Sequence, residues 1–173
     1  MSTAYVVFLL LCLVGLLTRT SYELLKKAGK VDPRSKLVFS IVFVGMILML
    51  TSWLVMCPAD PWRTRLPVVL RWVGLGISVA GLGIALWGWA QLRGLENIDH
   101  LVTSGLYSKI RHPMYTGFML WILGWIVYYG AAASLIVGLV AIANILYWRR
   151  LEEEKLALDF GEDYRRYRAT TWF

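Results

Sequence analysis

Residues 113–148 read PMYTGFMLWILGWIVYYGAAASLIVGLVAIANILYW, 36 positions without one charged side chain. Pro113 suits the first position of a helix, where its missing N–H leaves nothing unpaired. The apolar run reaches Tyr129, Gly130 with residues 131–134 supplies a tight turn, and residues 135–148 return. An uncharged stretch that folds back on itself reads as a helical hairpin inside a bilayer.

Three more apolar runs precede it, at 4–17, 37–56 and 66–92. Over the 173 residues the hydrophobic share is 58%, and the mean hydropathy is +0.60. Ordinary soluble domains hold about 45–50% apolar residues, and a chain of this size has too little interior to hide the excess. The first run has the length of a secretory signal. No basic residues precede it and no small-residue cleavage site follows, so it is expected to persist as a helix with extended ends. The second run stops at Cys57-Pro58 and Ala59-Asp60-Pro61. The third carries small residues four apart, Gly74/Ser78, Gly76/Ala80 and Gly81/Ala85, which let a neighbouring helix come close. Trp87 and Trp89 near its end suit interfacial anchors.

The expected fold is therefore an all-α integral membrane protein of five transmembrane helices, including the C-terminal hairpin. Residues 1–90 supply three spans and residues 91–173 the loop, hairpin and charged tail. The tail favours helix to about Phe160 and is broken at Gly161. Five spans put the termini on opposite sides. Placing the loop with Arg19, Lys26, Lys27, Lys30, Arg34 and Lys36, the loop with Arg93, Lys109 and Arg111, and the tail in the cytosol puts 15 of 18 basic residues inside. The positive-inside rule then predicts a multi-pass cell-membrane protein, N-terminus outside and C-terminus cytosolic. The net charge of +7 lies beside helix ends rather than on one basic face, which argues against nucleic acid as a partner. Cys12 and Cys57 are too few for a disulfide framework and stand at no metal-ligand spacing; no metal is expected.

Both histidines, His100 and His112, fall in the loop before the hairpin, around Gly105-Leu106-Tyr107 and beside Arg111 and Tyr115. Such a group suits a polar ligand through charge-assisted bonds and stacking; anchoring at the headgroups is the plainer reading. A second cluster, Arg149, Arg150, Glu152, Glu153 and Glu154, stands where the chain leaves the last run. Its charges are spaced for pairing along a helix, and its three acids suit a cationic or hydroxyl-rich ligand.

The ordered set Leu101-Val102-Thr103-Ser104-Gly105-Leu106-Tyr107, Arg111-His112-Pro113-Met114-Tyr115, the hairpin, Glu152-Glu153-Glu154, and Phe160-Gly161-Glu162-Asp163-Tyr164 with Tyr167 resembles the isoprenylcysteine carboxyl methyltransferase family and its prokaryotic relatives. The resemblance covers roughly residues 91–168. It implies an S-adenosylmethionine-dependent methyltransferase, with the cytosolic loop and tail forming the cofactor site. Residues Asp99, His100, Leu101, Val102, Tyr107, His112, Pro113, Met114 and Tyr115 would line that pocket, with Glu152 at the family's cofactor-binding glutamate and Gln91 as a further polar contact. In relatives an arginine four residues before that glutamate contacts the substrate. Here Trp148 stands at that position, with Arg149 and Arg150 as the nearest cations.

Methyl transfer from a sulfonium is an in-line displacement that needs alignment and exclusion of water. The expected substrate is lipophilic or lipid-modified, enters from the bilayer and carries a carboxylate acceptor held by Arg149; membrane lipids are the other partners. An amine acceptor would need a base, for which Glu153 is the candidate. The alternatives are a phospholipid amine N-methyltransferase, an NADPH-dependent membrane reductase of the sterol reductase type, and a non-catalytic scaffold. The acceptor and the oligomeric state stay open at this point.

Overall fold

Each apolar run forms a helix in the computed structural model of the chain, which describes residues 2–92 and 100–173. The helices are α1 (Thr3–Lys27), α2 (Lys36–Met56), α3 (Val68–Leu92), α4 (Pro113–Tyr129) and α5 (Ala132–Thr170), with a short 3-10 turn at Gly105–Ser108. Among the described residues the only β-type pairings are two isolated bridges, Arg63 with Ala131 and Ile110 with Trp172. Helices α1, α2, α3 and α5 are long and apolar enough to cross a membrane. Helix α4 has 17 residues, about 26 Å of rise, slightly less than a typical hydrocarbon core. The chain is a multi-pass membrane protein.

Helix α1 outruns its apolar stretch. It starts on Ser2, whose hydroxyl accepts the Tyr5 N–H at 3.3 Å, and continues through Arg19 and Glu23 to Lys27. Arg19, Lys26 and Lys27, expected in the first loop, are therefore helical. The cause is local. Arg19 Nη1 meets Glu23 Oε1 at 2.6 Å one turn on, and Lys26 Nζ meets Glu23 Oε2 at 3.2 Å, the pairings a helix favours. Lys26 and Lys27 in the last turn also oppose the negative end of the helix dipole.

The helices pack as two close antiparallel pairs. In the first, a Cβ on Gly15 would lie 2.6 Å from the carbonyl oxygen of Gly45, so α1 and α2 touch backbone to backbone. In the second, the buried positions of α3 are Gly74, Ser78, Gly81, Ala85 and Gly88, a 4-3-4-3 seam of small residues of the coiled-coil kind. A Cβ on Gly81 would meet Trp121 N at 2.6 Å, and one on Gly74 would meet Tyr128 N at 2.8 Å. Ser78 Oγ donates to the Trp121 carbonyl at 3.2 Å. Of the three small pairs in the sequence, Gly76/Ala80 is not on this seam; Gly76 faces open space.

Helix α5 lies between the pairs, its first half packed on α1 and α4. The hairpin turn is tighter than expected. Gly130 adopts left-handed backbone (φ 63°), and residues 132–134 already belong to α5. Asp60, from the α2–α3 connection, explains the difference. Its Oδ2 accepts from Ser134 N and Oγ, both at 2.6 Å, and its Oδ1 accepts from Ala133 N at 3.3 Å and Trp62 N at 2.8 Å. A carboxylate thus satisfies the free N–H groups of the first turn from 74 residues away. At its other end α5 runs unbroken past Trp148, bends at Gly161 (φ 50°, ψ −118°) and stays helical to Thr170.

Candidate active site

Two segments meet at the end of the bundle where α3, α4 and the second half of α5 converge: the loop at 100–112 and the tail from Leu151. Gly105 has positive φ (63°), and a Cβ there would strike the Gln91 side chain. Gln91 Oε1 instead accepts the Leu106 N–H at 3.0 Å. Tyr107 is buried; its hydroxyl reaches the Gly88 carbonyl at 3.4 Å, and its own carbonyl accepts the Tyr167 hydroxyl at 2.7 Å. Burial pushes the Tyr167 phenol up to about 12, so it keeps the proton it donates.

Arg111 fastens the chain's last residues to the loop. Its backbone N–H donates to the Trp172 carbonyl at 3.0 Å, and Trp172 N donates to Lys109 O at 2.8 Å. Its Nη1 donates to the Thr171 carbonyl at 2.6 Å. Its Nε stands 3.3 Å from Glu153 Oε1. That one oxygen also has His112 Nε2 at 3.3 Å and Arg149 Nε at 3.4 Å. The His112 contact is off the line of a good hydrogen bond. Contact with His112, then the charge of Arg149 and the hydrogen bond from Arg111, hold the Glu153 carboxyl at about 2 despite its partial burial.

His112 stands at the N-cap of α4, 5% exposed, stacked on Tyr115 with ring centres 5.6 Å apart. Its Nδ1 is 3.8 Å from Glu152 Oε2, and the Glu152 side chain is 42% exposed. The fold thus brings Tyr107, His112, Tyr115, Glu152 and Glu153 to one end of the molecule. Pro113 is buried beside them, Met114, Leu101 and Val102 are half-buried, and His100 is exposed on the loop. Asp99 lies outside the described residues.

Beside this group, between the α1–α2 pair and α4–α5, is an apolar cavity of about 210 Å³. A cavity of ~150 Å³ takes a benzene-sized molecule, so this one takes a longer apolar group. Met114, Phe118, Trp121, Ile145 and Trp148 form one wall; Val42, Met46 and Trp53 form another. Among the described residues its only charged lining side chain is Arg19. Tyr115 joins the two regions: it lines the cavity, and its hydroxyl is within electrostatic reach of Glu152, Arg19 and Glu23. Arg149 does not line the cavity; its guanidinium lies 4.2 Å over the Phe173 ring. The sequence reading missed Arg19 and the Arg111 clamp. The i,i+4 spacing of Arg19 and Glu23 at the end of an apolar run was the available signal for the first.

The phospholipid methyltransferase family matches residues 69–163, more than half of the chain. The chain belongs to the phospholipid methyltransferase family. The family segment contains α3, the loop, α4 and α5 to just past its bend, and so the whole His112–Glu152–Glu153 group. Helices α1 and α2 lie outside it. Relatives include protein-S-isoprenylcysteine O-methyltransferases of Schizosaccharomyces pombe, 38% identical over 42% of this chain and 32% of its own length, and of Xenopus laevis, 34% identical over 53% and 38%. A methanethiol S-methyltransferase of Pseudomonas sp. (strain GM41(2012)) is 28% identical over 62% of this chain and 44% of its own length. The chain thus matches about a third to under half the length of these relatives. No solved structure matches it.

Proposed function

We propose that the chain is an S-adenosylmethionine-dependent methyltransferase that acts on a lipophilic substrate at the cytosolic face of the cell membrane, with a carboxylate as the acceptor. The observation that carries this reading is the junction at Tyr115: a group with Glu152 3.8 Å from the buried His112 adjoins an apolar cavity sized for a hydrocarbon chain. The residues present fit the cofactor. Glu152 offers an accessible carboxylate for a ribose hydroxyl or a sulfonium, and His112 Nε2 is a buried polar atom without a well-aligned hydrogen-bond partner. Tyr107, His112, Tyr115 and Glu152 would hold the cofactor, framed by Gln91, His100, Leu101, Val102, Pro113 and Met114, with Asp99 adjoining in sequence. When bound, S-adenosylmethionine supplies an electrophilic methyl carbon on a sulfonium.

The chain's own residues do the rest. Buried Tyr107, His112 and Tyr115 keep water from the reacting end. Glu153, held ionised by Arg149, Arg111 and its contact with His112, ties loop to tail; a carboxyl near 2 is a poor base at neutral pH. That favours an acceptor already ionised, a carboxylate, over an amine. A thiolate acceptor is the second reading, favoured by the likeness to methanethiol S-methyltransferase. Membership of a methyltransferase family favours methyl transfer over the reductase and scaffold readings. On the reading of five spans with the C-terminus cytosolic, the site would lie on the side where a soluble cofactor is supplied, and the distribution of basic residues supports that orientation.

The test is transfer of labelled methyl groups from S-adenosylmethionine into extracted host lipid, with titration of S-adenosylhomocysteine and NADPH against the purified protein. Expected are labelling by the wild type, loss of roughly tenfold or more in Glu152→Ala and His112→Ala, and binding of S-adenosylhomocysteine but not NADPH. Equal labelling in both variants and the wild type would overturn the assigned pocket.

A further inference from the structure

One end of the cavity is closed by the α1–α2 connection, residues 28–35, a segment that the proposed reaction does not use. Pro33 of that connection lines the cavity, with Tyr22 near the end of α1 and Phe39 near the start of α2. Two contacts fix the level of this end along α5. Trp148 Nε1 donates to Thr20 Oγ1 at 3.2 Å, and Lys27 Nζ meets Glu154 Oε2 at 2.9 Å. Helices α1 and α5 therefore run side by side in the same direction, and Glu152 stands between the two contacts. We propose that residues 28–35 are a lid over the mouth of the cavity, held shut by the Lys27–Glu154 pair, and that an amphiphilic substrate enters and leaves beneath it. The proposal rests on the reading of the cavity as the acceptor site.

The connection is hinged at its start and firm further on. Gly29 takes left-handed backbone (φ 67°), and Lys30 N donates to Leu25 O at 3.0 Å, the helix ending that glycine favours. A Cβ on Gly29 would meet nothing within 4 Å, so no neighbour packs against the hinge. Asp32 Oδ1 then accepts Arg34 N at 2.9 Å, and the Asp32 carbonyl accepts Ser35 N at 3.1 Å. These bonds keep residues 32–35 together as one turn. Val31 and Pro33 are half-buried, whereas Lys30, Asp32 and Arg34 are exposed. The apolar side chains face the molecule and the charged ones face solvent, as a cover requires.

Lys27 is the last residue of α1, directly before the hinge. Its side chain is 59% exposed and that of Glu154 45%, and Glu154 also meets Arg150 Nε at 3.2 Å. An exposed pair of this kind is weak and screened by salt. A weak tie suits a lid that opens in every turnover. Closure excludes water from the methyl transfer, and opening releases the product.

The experiment is stopped-flow mixing of the purified protein in detergent with ω-bromodecanoate, whose bromine quenches tryptophan; Trp53, Trp121 and Trp148 line the cavity. A latch closed in both the free and the bound protein slows entry and exit alike. Lys27→Gln and Glu154→Gln should therefore each raise both rates by roughly two- to fivefold with Kd unchanged. The double variant should be no faster than either single one. Both positions are exposed, so folding is not at risk. Added salt should speed the wild type and leave the double variant level. Binding with unchanged rates in the variants, or a change in the exit rate alone, overturns the lid and leaves the cavity as the acceptor site. A wild type whose tryptophans the probe does not quench overturns the reading of the cavity, and the lid with it.

Discussion

Glu153 gathers Arg111, His112 and Arg149 on one oxygen, and its carboxyl sits well below the ordinary 4.5. A depressed carboxyl contributes stability that is complete above its unfolded value and is lost as pH falls through the folded one. The docking of tail on loop should therefore weaken between about pH 4.5 and 2. Glu153→Gln is expected to lower stability by about 2 kcal/mol at neutral pH and to flatten that acid limb, both read from unfolding midpoints across pH. Gly105→Ala would strain a left-handed backbone and displace Gln91, and should cost roughly 1–2 kcal/mol with weaker S-adenosylhomocysteine binding. Tyr107, His112 and Glu152 were legible in the sequence because their spacing repeats a recognisable motif. Arg19 was not, because its place depends on α1 meeting α5 across more than 120 residues of chain.

At the scale of elements, the α3 seam distinguishes glycines that look alike in sequence. Gly81→Ala would put a methyl 2.6 Å from Trp121 N, an overpacking expected to cost about 1–3 kcal/mol. Gly83 faces open space, so Gly83→Ala should leave stability level or raise it by a few tenths of a kcal/mol through helix propensity. Unfolding of the two variants side by side in detergent checks the assignment. The apolar runs predicted each of the five α-helices among the described residues, since apolar length is a local property. Which face of α3 packs was not predictable, because small residues lie on several faces and only the partner helix selects one. The start of α5 was misread for a related reason: its cap is Asp60, distant in sequence. Asp60→Ala should cost about 1–2 kcal/mol, measured in the same way.

In the whole molecule, two close helix pairs stand either side of a cavity, and α5 connects that cavity to the loop–tail cluster. The last three residues hold the cluster shut through Thr171 and Trp172 on the loop and Phe173 on Arg149. Removing residues 171–173 should weaken S-adenosylhomocysteine binding roughly tenfold while leaving the midpoint of global unfolding near its original value. Titration and thermal scans on the same sample separate the two effects.

Helix α5 is continuous from Ala132 to its bend, and Trp148 and Glu152 are successive ridges of one rigid rod about 6 Å apart. The rod works as a ruler. On the proposed reading, whatever the length of a guest's hydrocarbon, its business end would be measured from the same mark. Across a homologous series of acceptors, turnover should hold constant while affinity climbs with each added methylene until the space between the helix pairs is full.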